Sequence, residues 1–340
     1  MLDRLNPQEA NQSGEKLTGL RKIQDILCST NGMVCVDLDD TTKEPIKYRW
    51  IDGATRRFLP ETVIAFMAIH KAGLALSVIT EQGFEQIDQF LKDIVDLIPL
   101  DRHGNPPLIF NGFIVGEGGS LFRKHSSDKI VFLTSSEALE EIRVLTDWIR
   151  NNLIPAENNN DWLILKGTDV NSSTFVRLPL GDDVCMASIS LWEKGPHVSD
   201  DPSYVDKYGI IEKAIQKAII SLELKSLDTY EAGNGTLRIV PRGVNKASAY
   251  LYLKSSWLID PSKTVYVCDG TNDIEIAEKL IADGGGVIAV ANAVDKLHQI
   301  ADLTTTLPSG GGFAEAISKI FPQEFLEASL ETKSISICLI

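Results

Sequence analysis

Apolar runs that stop abruptly at an acid or a threonine punctuate this chain. Val34-Cys35-Val36 runs into Asp37-Leu38-Asp39-Asp40-Thr41-Thr42, and a short run that is apolar at every position reads as a strand buried on both faces. Leu74 to Ile79 is a second such run, ended by Thr80, and Thr264 to Cys268 is a third, ended by Asp269. Gly286 to Val290 is a fourth. Between these runs the apolar positions recur at helical spacing instead. They do so in a lead-in over 3–28 (Leu17, Leu20, Ile23, Ile26, Leu27), and from Glu61 to His70, where Gly73 supplies the stop. Phe84 to Ile98, Ala247 to Lys254 and Ile274 to Leu280 show the same period, and Leu108 to Gly112 reads as a further strand and turn.

Strands that alternate with helices predict an α/β core with a doubly wound, Rossmann-like parallel sheet. From about residue 126 to 233 the pattern changes. Thr174 to Leu178 and Val184 to Ser190 alternate polar with apolar, as half-buried strands do, and two helices are expected, Ser136 to Asn151 and Ser203 to Leu222. The polar stretch Glu157-Asn158-Asn159-Asn160-Asp161 reads as a loop. An α+β insertion with one exposed sheet face is therefore expected at 126–233, set into a discontinuous core formed by 1–125 and 234–340. No internal repeat or low-complexity tract interrupts this organisation.

The 340 residues suffice for one large or two medium domains, and the apolar and charged fractions, 44% and 24%, are those of an ordinary globular protein. No apolar run approaches the roughly 18 residues of a membrane span, and Met1 to Lys22 lacks the apolar core of a secretory signal. The five cysteines are scattered without metal-ligand spacing, which points to a reducing cytoplasm. A formal charge of −14 argues against nucleic acid as a partner, because a nucleic-acid binder needs a basic face. The same charge sets a condition on any anionic ligand: a metal ion or a local Lys and Arg cluster must offset the surrounding field.

The strand ends carry the candidate chemistry. Asp37 and Asp39 are two residues apart, and packing acids so closely is unfavourable without a cation, a shared proton or solvent. Taken alone, the pair is equally a strand running into a solvated acidic turn. Asp269-Gly270-Thr271-Asn272-Asp273 repeats the pattern. Asp273 alone is an ordinary acid at a helix N-terminus, and Lys246, at the start of another helix, alone is ordinary solvated surface. Two acidic strand ends in one sheet can instead supply hard oxygen ligands to one Mg²⁺.

Taken in order, Asp37-x-Asp39-x-Thr41, Thr80, Lys246 and Asp269-x-x-Asn272-Asp273 closely resemble the motifs of the haloacid dehalogenase-like hydrolase superfamily. The resemblance covers about residues 31–120 and 235–320. The long segment between Thr80 and Lys246 matches the subgroup with a large cap, which includes Cof-type, sucrose-phosphate and mannosyl-3-phosphoglycerate phosphatases. The resemblance implies a Mg²⁺-dependent phosphomonoester hydrolase acting on a small phosphorylated metabolite, a sugar phosphate above all. Asp37 would attack phosphorus and carry an aspartyl-phosphate, and Asp39 would act as acid and then base. Asp37, the Asp39 carbonyl and Asp269 would hold the metal, with Asp273 nearby or bound through water. Thr41, Thr80, Lys246 and Asn272 would face the phosphoryl oxygens.

Three positions depart from the family pattern. Asp40 stands where many relatives have Gly, Cys268 replaces a Gly before Asp269, and Thr80-Glu81-Gln82 lacks the Gly-Arg pair that follows this threonine in Cof-type enzymes. A phosphomutase, which returns the phosphoryl group to substrate, stays open as an alternative. So does a phospho-accepting signalling domain, although the Asp39 acid/base and the large insertion favour turnover. Within the insertion Lys166, Arg177, Lys194 and Glu231 are candidate substrate contacts by location only.

Overall fold

A computed structural model describes residues 18–42, 59–95, 97–99, 107–124, 129–156, 159–165, 175–177, 187–194, 202–231, 236–256 and 258–336. Within the lead-in, residues 18–27 form helix α1; the part before 18 lies outside the described residues. The first half then runs β1 (Met33–Val36), α2 (Pro60–Lys71), β2 (Ala75–Ile79), α3 (Phe84–Val95), β3 (Phe113–Gly116), β4 (Leu121–Lys124) and β5 (Val131–Phe132). The middle holds α4 (Ser136–Asn152), β6 (Leu153–Ala156), β7 (Asn159–Leu165), β8 (Phe175–Arg177), β9 (Ile189–Lys194), α5 (Pro202–Ser221), β10 (Leu227–Glu231) and β11 (Thr236–Pro241). The last part is α6 (Lys246–Ser255), β12 (Thr264–Cys268), α7 (Ile274–Ala282), β13 (Gly286–Ala289), α8 (Asp295–Ile300), β14 (Leu303–Thr304), α9 (Ser309–Ile320) and α10 (Pro322–Ser336).

These strands make two sheets. The first has eight strands in the order β14-β13-β12-β1-β2-β3-β4-β5. It is parallel from β14 to β3 and closes with antiparallel β4 and β5 at one edge. Its central strands read as unbroken apolar runs because both faces are covered. Val34, Val36, Leu76, Val78, Val265 and Val267 pack on one side with Phe66 of α2, Phe90 of α3 and Phe313 of α9. The alternate residues Cys35, Tyr266, Cys268, Val287 and Ala289 pack on the other with Tyr250 and Leu253 of α6 and Ile276 and Leu280 of α7. Each central strand thus divides its side chains between two cores with a period of two.

The second sheet has six strands in the order β10-β11-β9-β8-β7-β6 and is antiparallel throughout. Ile142, Leu145 and Ile149 of α4 and Ile215 and Ala218 of α5 bury its Ile189, Leu227, Leu237 and Ile239. The change from first sheet to second falls between Phe132 and Leu153, and the return between Pro241 and Thr264.

Some local expectations are corrected. The strand expected at Leu108–Gly112 lies at Phe113–Gly116, whose residues are all buried, whereas Leu108 is half exposed. Asn111 just before it spends its side-chain oxygen on the Leu76 amide, while the Gly112 amide donates to the Leu76 carbonyl at 3.0 Å, so a side chain takes the place of one main-chain acceptor where this stretch first meets β2. The expected polar loop begins a strand instead. Asn159 pairs with Ala156, and a register shift at Pro155/Ala156 takes up the irregularity, so residues 159–161 belong to β7. Helix α3 stops at Val95, short of Ile98. The strand expected at Val184–Ser190 begins at Ile189; residues 184–186 lie outside the described residues.

Candidate active site

The site follows from strand pairing. β1 and β12 are parallel neighbours in the register Val36↔Val267, so their carboxyl ends coincide and Asp37 meets Asp269. The Asp37 amide donates to the Val267 carbonyl at 3.0 Å, which holds the first acid against the second strand. β2 flanks β1 on the other side and delivers Thr80 to the same edge. Ligands of open α/β sheets bind at this edge.

Lys246 reaches the site from the first turn of α6. Asn245 caps that helix reciprocally: its side chain accepts from the Ser248 amide at 2.8 Å, and its own amide donates to Ser248 Oγ at 3.0 Å. Such a box contributes about 1 kcal/mol and fixes where the helix begins. The chain is placed further by Gly119 (φ +108°), where a Cβ would lie 2.3 Å from the Asn245 carbonyl. The Lys246 side chain is fully buried, and its Nζ lies 3.1 Å from Asp37 Oδ1 and 2.7 Å from Asp273 Oδ1. Burial alone would disfavour its charge, but Asp273, Asp37 and Glu81 together hold it well above the ordinary lysine range.

Oxygens of Asp37, Asp269 and Asp273 all lie within 4.8 Å of one another. Burial, reinforced by Asp273 and Asp39 and opposed by Lys246, pushes Asp37 up to about 8. Burial and the charges of Asp37 and Asp273 likewise raise Asp269 well above the carboxylate range, although the Thr41 hydroxyl pulls it down. A carboxylate cluster in this condition is deficient in positive charge. Its donors are all hard oxygens, which suits Mg²⁺. Cys268, next to Asp269 in the chain, is buried, and that burial pushes its thiol far up, away from the thiolate a soft metal needs.

The three acids are not equivalent. Asp273 Oδ1 accepts from Lys246 Nζ and from Tyr266 OH at 2.6 Å. Its Oδ2 accepts from the amides of Gly270 at 2.9 Å and Asp269 at 3.3 Å. Four donors occupy the roughly four lone-pair sites of a carboxylate. Asp273 is therefore the anchor of Lys246 and of its own turn, and Asp37 and Asp269 are the pair whose oxygens a cation can claim.

Each remaining candidate has a definite place. Thr80 is buried; its Oγ1 accepts from the Gln82 amide at 3.3 Å, and its own proton has no acceptor among the described residues. Thr41, expected to face the phosphoryl group, donates to Asp269 Oδ1. The Asp39 carboxylate accepts from Gln82 Nε2 at 2.5 Å. Asn272 Nδ2 donates to Glu81 Oε1 at 2.9 Å. Asp40 adopts a left-handed backbone (φ +56°), the conformation a glycine would take freely, and Asp is among the few residues that enter it readily. Its carbonyl accepts from Asn292 Nδ2, which also reaches Asp269 Oδ2 at 3.4 Å. Lys166 lies outside the described residues, as do the side chains of Arg177, Lys194 and Glu231.

Sequence reasoning missed several groups that complete this arrangement. Gln82, which holds Asp39, and Glu81 were visible only as departures from a pattern. Asn292 stands in a loop between β13 and α8, in a stretch (Val290 to Ala293) that resembles the Cof-type and sucrose-phosphate phosphatase branch, but the sequence assigned it no role. Tyr266 had a signal: it lies two before Cys268 on a strand, on the face that carries the second core, and a buried tyrosine hydroxyl needs an acceptor. Glu117, fully buried in a turn with positive φ, accepts from the Ala187 amide at 2.7 Å and Ser188 Oγ at 3.0 Å, and so ties the first sheet to the start of β9. Its two donors lie 70 and 71 residues away in sequence, too far for any local pattern to show.

A parallel α/β sheet with acids at adjoining strand ends, a buried lysine between them and a second sheet inserted in the chain defines a class: α/β enzymes that act at the carboxyl edge beneath an inserted domain. The sequence profile of the haloacid dehalogenase-like hydrolases matches residues 34–317, and the chain belongs to that family. Over 122 residues it is 30% identical to a protein of Saccharolobus solfataricus named phosphoglycolate phosphatase 2. The match takes in 36% of this chain and 48% of the relative, so the chain spans about half the length of that protein. Among solved structures, a haloacid dehalogenase-like hydrolase from Bacteroides thetaiotaomicron superposes with a TM-score of 0.56 at 18% identity, covering 86% of this chain and all of that one. The C-terminal domain of trehalose-6-phosphate phosphatase from C. albicans gives 0.53 at 11% identity, covering 90% and 96%. At these identities the structures attest the fold, insertion included. Among the described residues no helix is long and apolar enough to cross a membrane.

Proposed function

We propose that this protein is a Mg²⁺-dependent phosphomonoester hydrolase of the cytoplasm, acting through an aspartyl-phosphate on a small phosphorylated metabolite, a sugar phosphate above all. The observation that carries the reading is the buried Lys246 Nζ between Asp37 and Asp273, with Asp269 at the adjoining strand end. A cation held there offsets the buried acids and can also neutralise an anion placed against Asp37.

Asp37 attacks phosphorus in line and expels the alcohol, forming an aspartyl-phosphate. Asp39, steadied by Gln82, protonates the leaving oxygen and then removes a proton from the water that hydrolyses the intermediate. Lys246 and the Thr80 hydroxyl donate to the phosphoryl oxygens, where charge is spread in the transition state. Asn272 orients them from the second strand end. Asp37, Asp269 and the Asp39 carbonyl would hold Mg²⁺, with Asp273 behind them. When bound, the ion neutralises charge on the phosphoryl group. In this reading residues 1–125 and 234–340 form the catalytic core, and 126–233 form a cap that covers the leaving group and excludes water.

The test is phosphate release from a panel of sugar phosphates, polyol phosphates, phosphoglycolate and nucleotides, with Mg²⁺ and with EDTA. Release should require Mg²⁺ and fall by at least ~10³-fold in Asp37→Asn, which removes the nucleophile. If no compound is hydrolysed, or the Asp37→Asn protein releases phosphate as fast as wild type, the assignment is wrong.

A further inference from the structure

The carboxylate of Glu81 joins three parts of the molecule that are remote in sequence. Glu81 follows Thr80 at the end of β2, and its side chain is 18% exposed. Its Oε2 accepts from Tyr230 OH of β10 at 2.7 Å and from Arg238 Nε of β11 at 3.3 Å. A second Arg238 nitrogen donates to the Glu81 main-chain carbonyl. The Arg238 side chain is only 3% exposed, so this ion pair is nearly dry. Space for it depends on Gly118 (φ +64°), where a Cβ would lie 2.6 Å from Glu81 Oε2 and 2.8 Å from Tyr230 OH. The remaining oxygen, Oε1, accepts from Asn272 Nδ2 at 2.9 Å.

The last contact has a directional consequence. A carboxamide presents two donors on one side and an acceptor on the other, and it turns to suit its neighbours. An ionised carboxylate only accepts, so Glu81 selects the rotamer in which the Asn272 NH₂ faces it. That group has a second N–H. The opposite rotamer would turn the amide oxygen toward the same space, where it would repel an anion. Glu81 is also the only acceptor for this amide among the described residues. Asn272 immediately precedes Asp273, the anchor of Lys246, and the Glu81 carboxylate that holds the amide lies close enough to Lys246 to favour its charge.

We propose that Glu81 is a positioning residue: pinned to the β10–β11 hairpin by Tyr230 and Arg238, it fixes the Asn272 amide with its NH₂ toward the phosphoryl subsite. The role rests on the reading of that subsite given above and extends it to a residue that touches no substrate. It also makes the seating of the second sheet part of anion recognition, since the hairpin holds the carboxylate that orients the amide.

The test is isothermal titration of inorganic phosphate into the full-length protein in MgCl₂, with thermal unfolding measured in parallel. Glu81→Gln is isosteric but brings its own donors, so it no longer dictates the Asn272 rotamer; phosphate affinity should fall about tenfold. In an Asn272→Ala background the same substitution should leave phosphate affinity unchanged. The loss of thermal stability from weakening the Arg238–Glu81 ion pair should persist in both backgrounds. Tyr230→Phe keeps the Glu81–Arg238 pair and gives the same test in milder form, a roughly two- to threefold weakening that disappears without Asn272. If Glu81→Gln leaves phosphate affinity intact, or weakens it equally with and without Asn272, the positioning role is wrong and Glu81 is only a structural tie. Wild-type protein that binds no phosphate would overturn the phosphoryl reading itself.

Discussion

Replacing Lys246 by methionine isolates the electrostatics of this site. The ammonium is fully buried, 2.7 Å from Asp273 and 3.1 Å from Asp37, and methionine retains most of the packing volume. Breaking a buried ion pair by removing one partner costs about 3–5 kcal/mol, because the other charge is left uncompensated. Asp273 would keep three donors, Tyr266 OH and the amides of Gly270 and Asp269. The lower end, about 3 kcal/mol, is therefore expected in metal-free protein. At ~2–4 °C per kcal/mol for a domain of this size, that is a fall in Tm of about 6–12 °C. The cost must depend on pH. Without the lysine Asp37 ionises less readily in the fold, and an acid whose folded pKa is raised loses its stabilising contribution as pH rises toward that pKa. Urea unfolding in EDTA at pH 5.5 and pH 8 should thus show a larger penalty at the higher pH. Hydrolysis should be lost at both. A penalty below about 1 kcal/mol, or one equal at both pH values, would refute the account of Lys246 as the charge that holds the site together.

Two further outcomes follow from the same geometry. Asp37 is raised to about 8 in the folded protein, so its contribution to metal-free stability is complete below about pH 4, its unfolded range, and is lost as pH rises through 8. Mg²⁺ must displace that proton, so its affinity should rise up to about tenfold per pH unit between 6 and 8. Titration calorimetry in buffers of different ionisation enthalpy reads the proton released, and an affinity flat with pH would contradict the reading. Gln82→Ala removes the 2.5 Å donor to Asp39. It should lower kcat by about tenfold, less than the roughly 10²–10⁴-fold a positioned acid/base supplies, because Asp39 itself remains. Mg²⁺ affinity should not change, since the proposed ligand is the Asp39 carbonyl; a kcat equal to wild type would remove Gln82 from the machinery.

Much of the architecture was legible because it is written locally. Strands buried on both faces must be apolar at every position, so β1, β2, β12 and β13 stand out as runs, and the helices between them as periodic segments. The antiparallel additions β4 and β5 were not legible: they are short and lie at an edge, and Arg123 and Lys124 of β4 break any alternation. Leu108 misled for the opposite reason, as an apolar residue that the fold leaves half exposed.

The sequence by itself determined that acids would stand at strand ends and that a lysine would open a helix. Each depends on forces that act over a few residues: the burial of a strand and the local periodicity of a helix. Only the tertiary structure decided which of those groups meet. Thr41 and Asp269 are 228 residues apart, and Glu81 and Arg238 are 157 apart. Their contact follows from the lateral order of strands and the return of a hairpin from the second sheet. Strand pairing makes neighbours without regard to separation along the chain, so no local window contains both partners. That is why Asp37, Asp269, Asp273 and Lys246 could be named from motifs, whereas the hold of Glu81 on Asn272, of Gln82 on Asp39 and of Tyr266 on Asp273 required the fold.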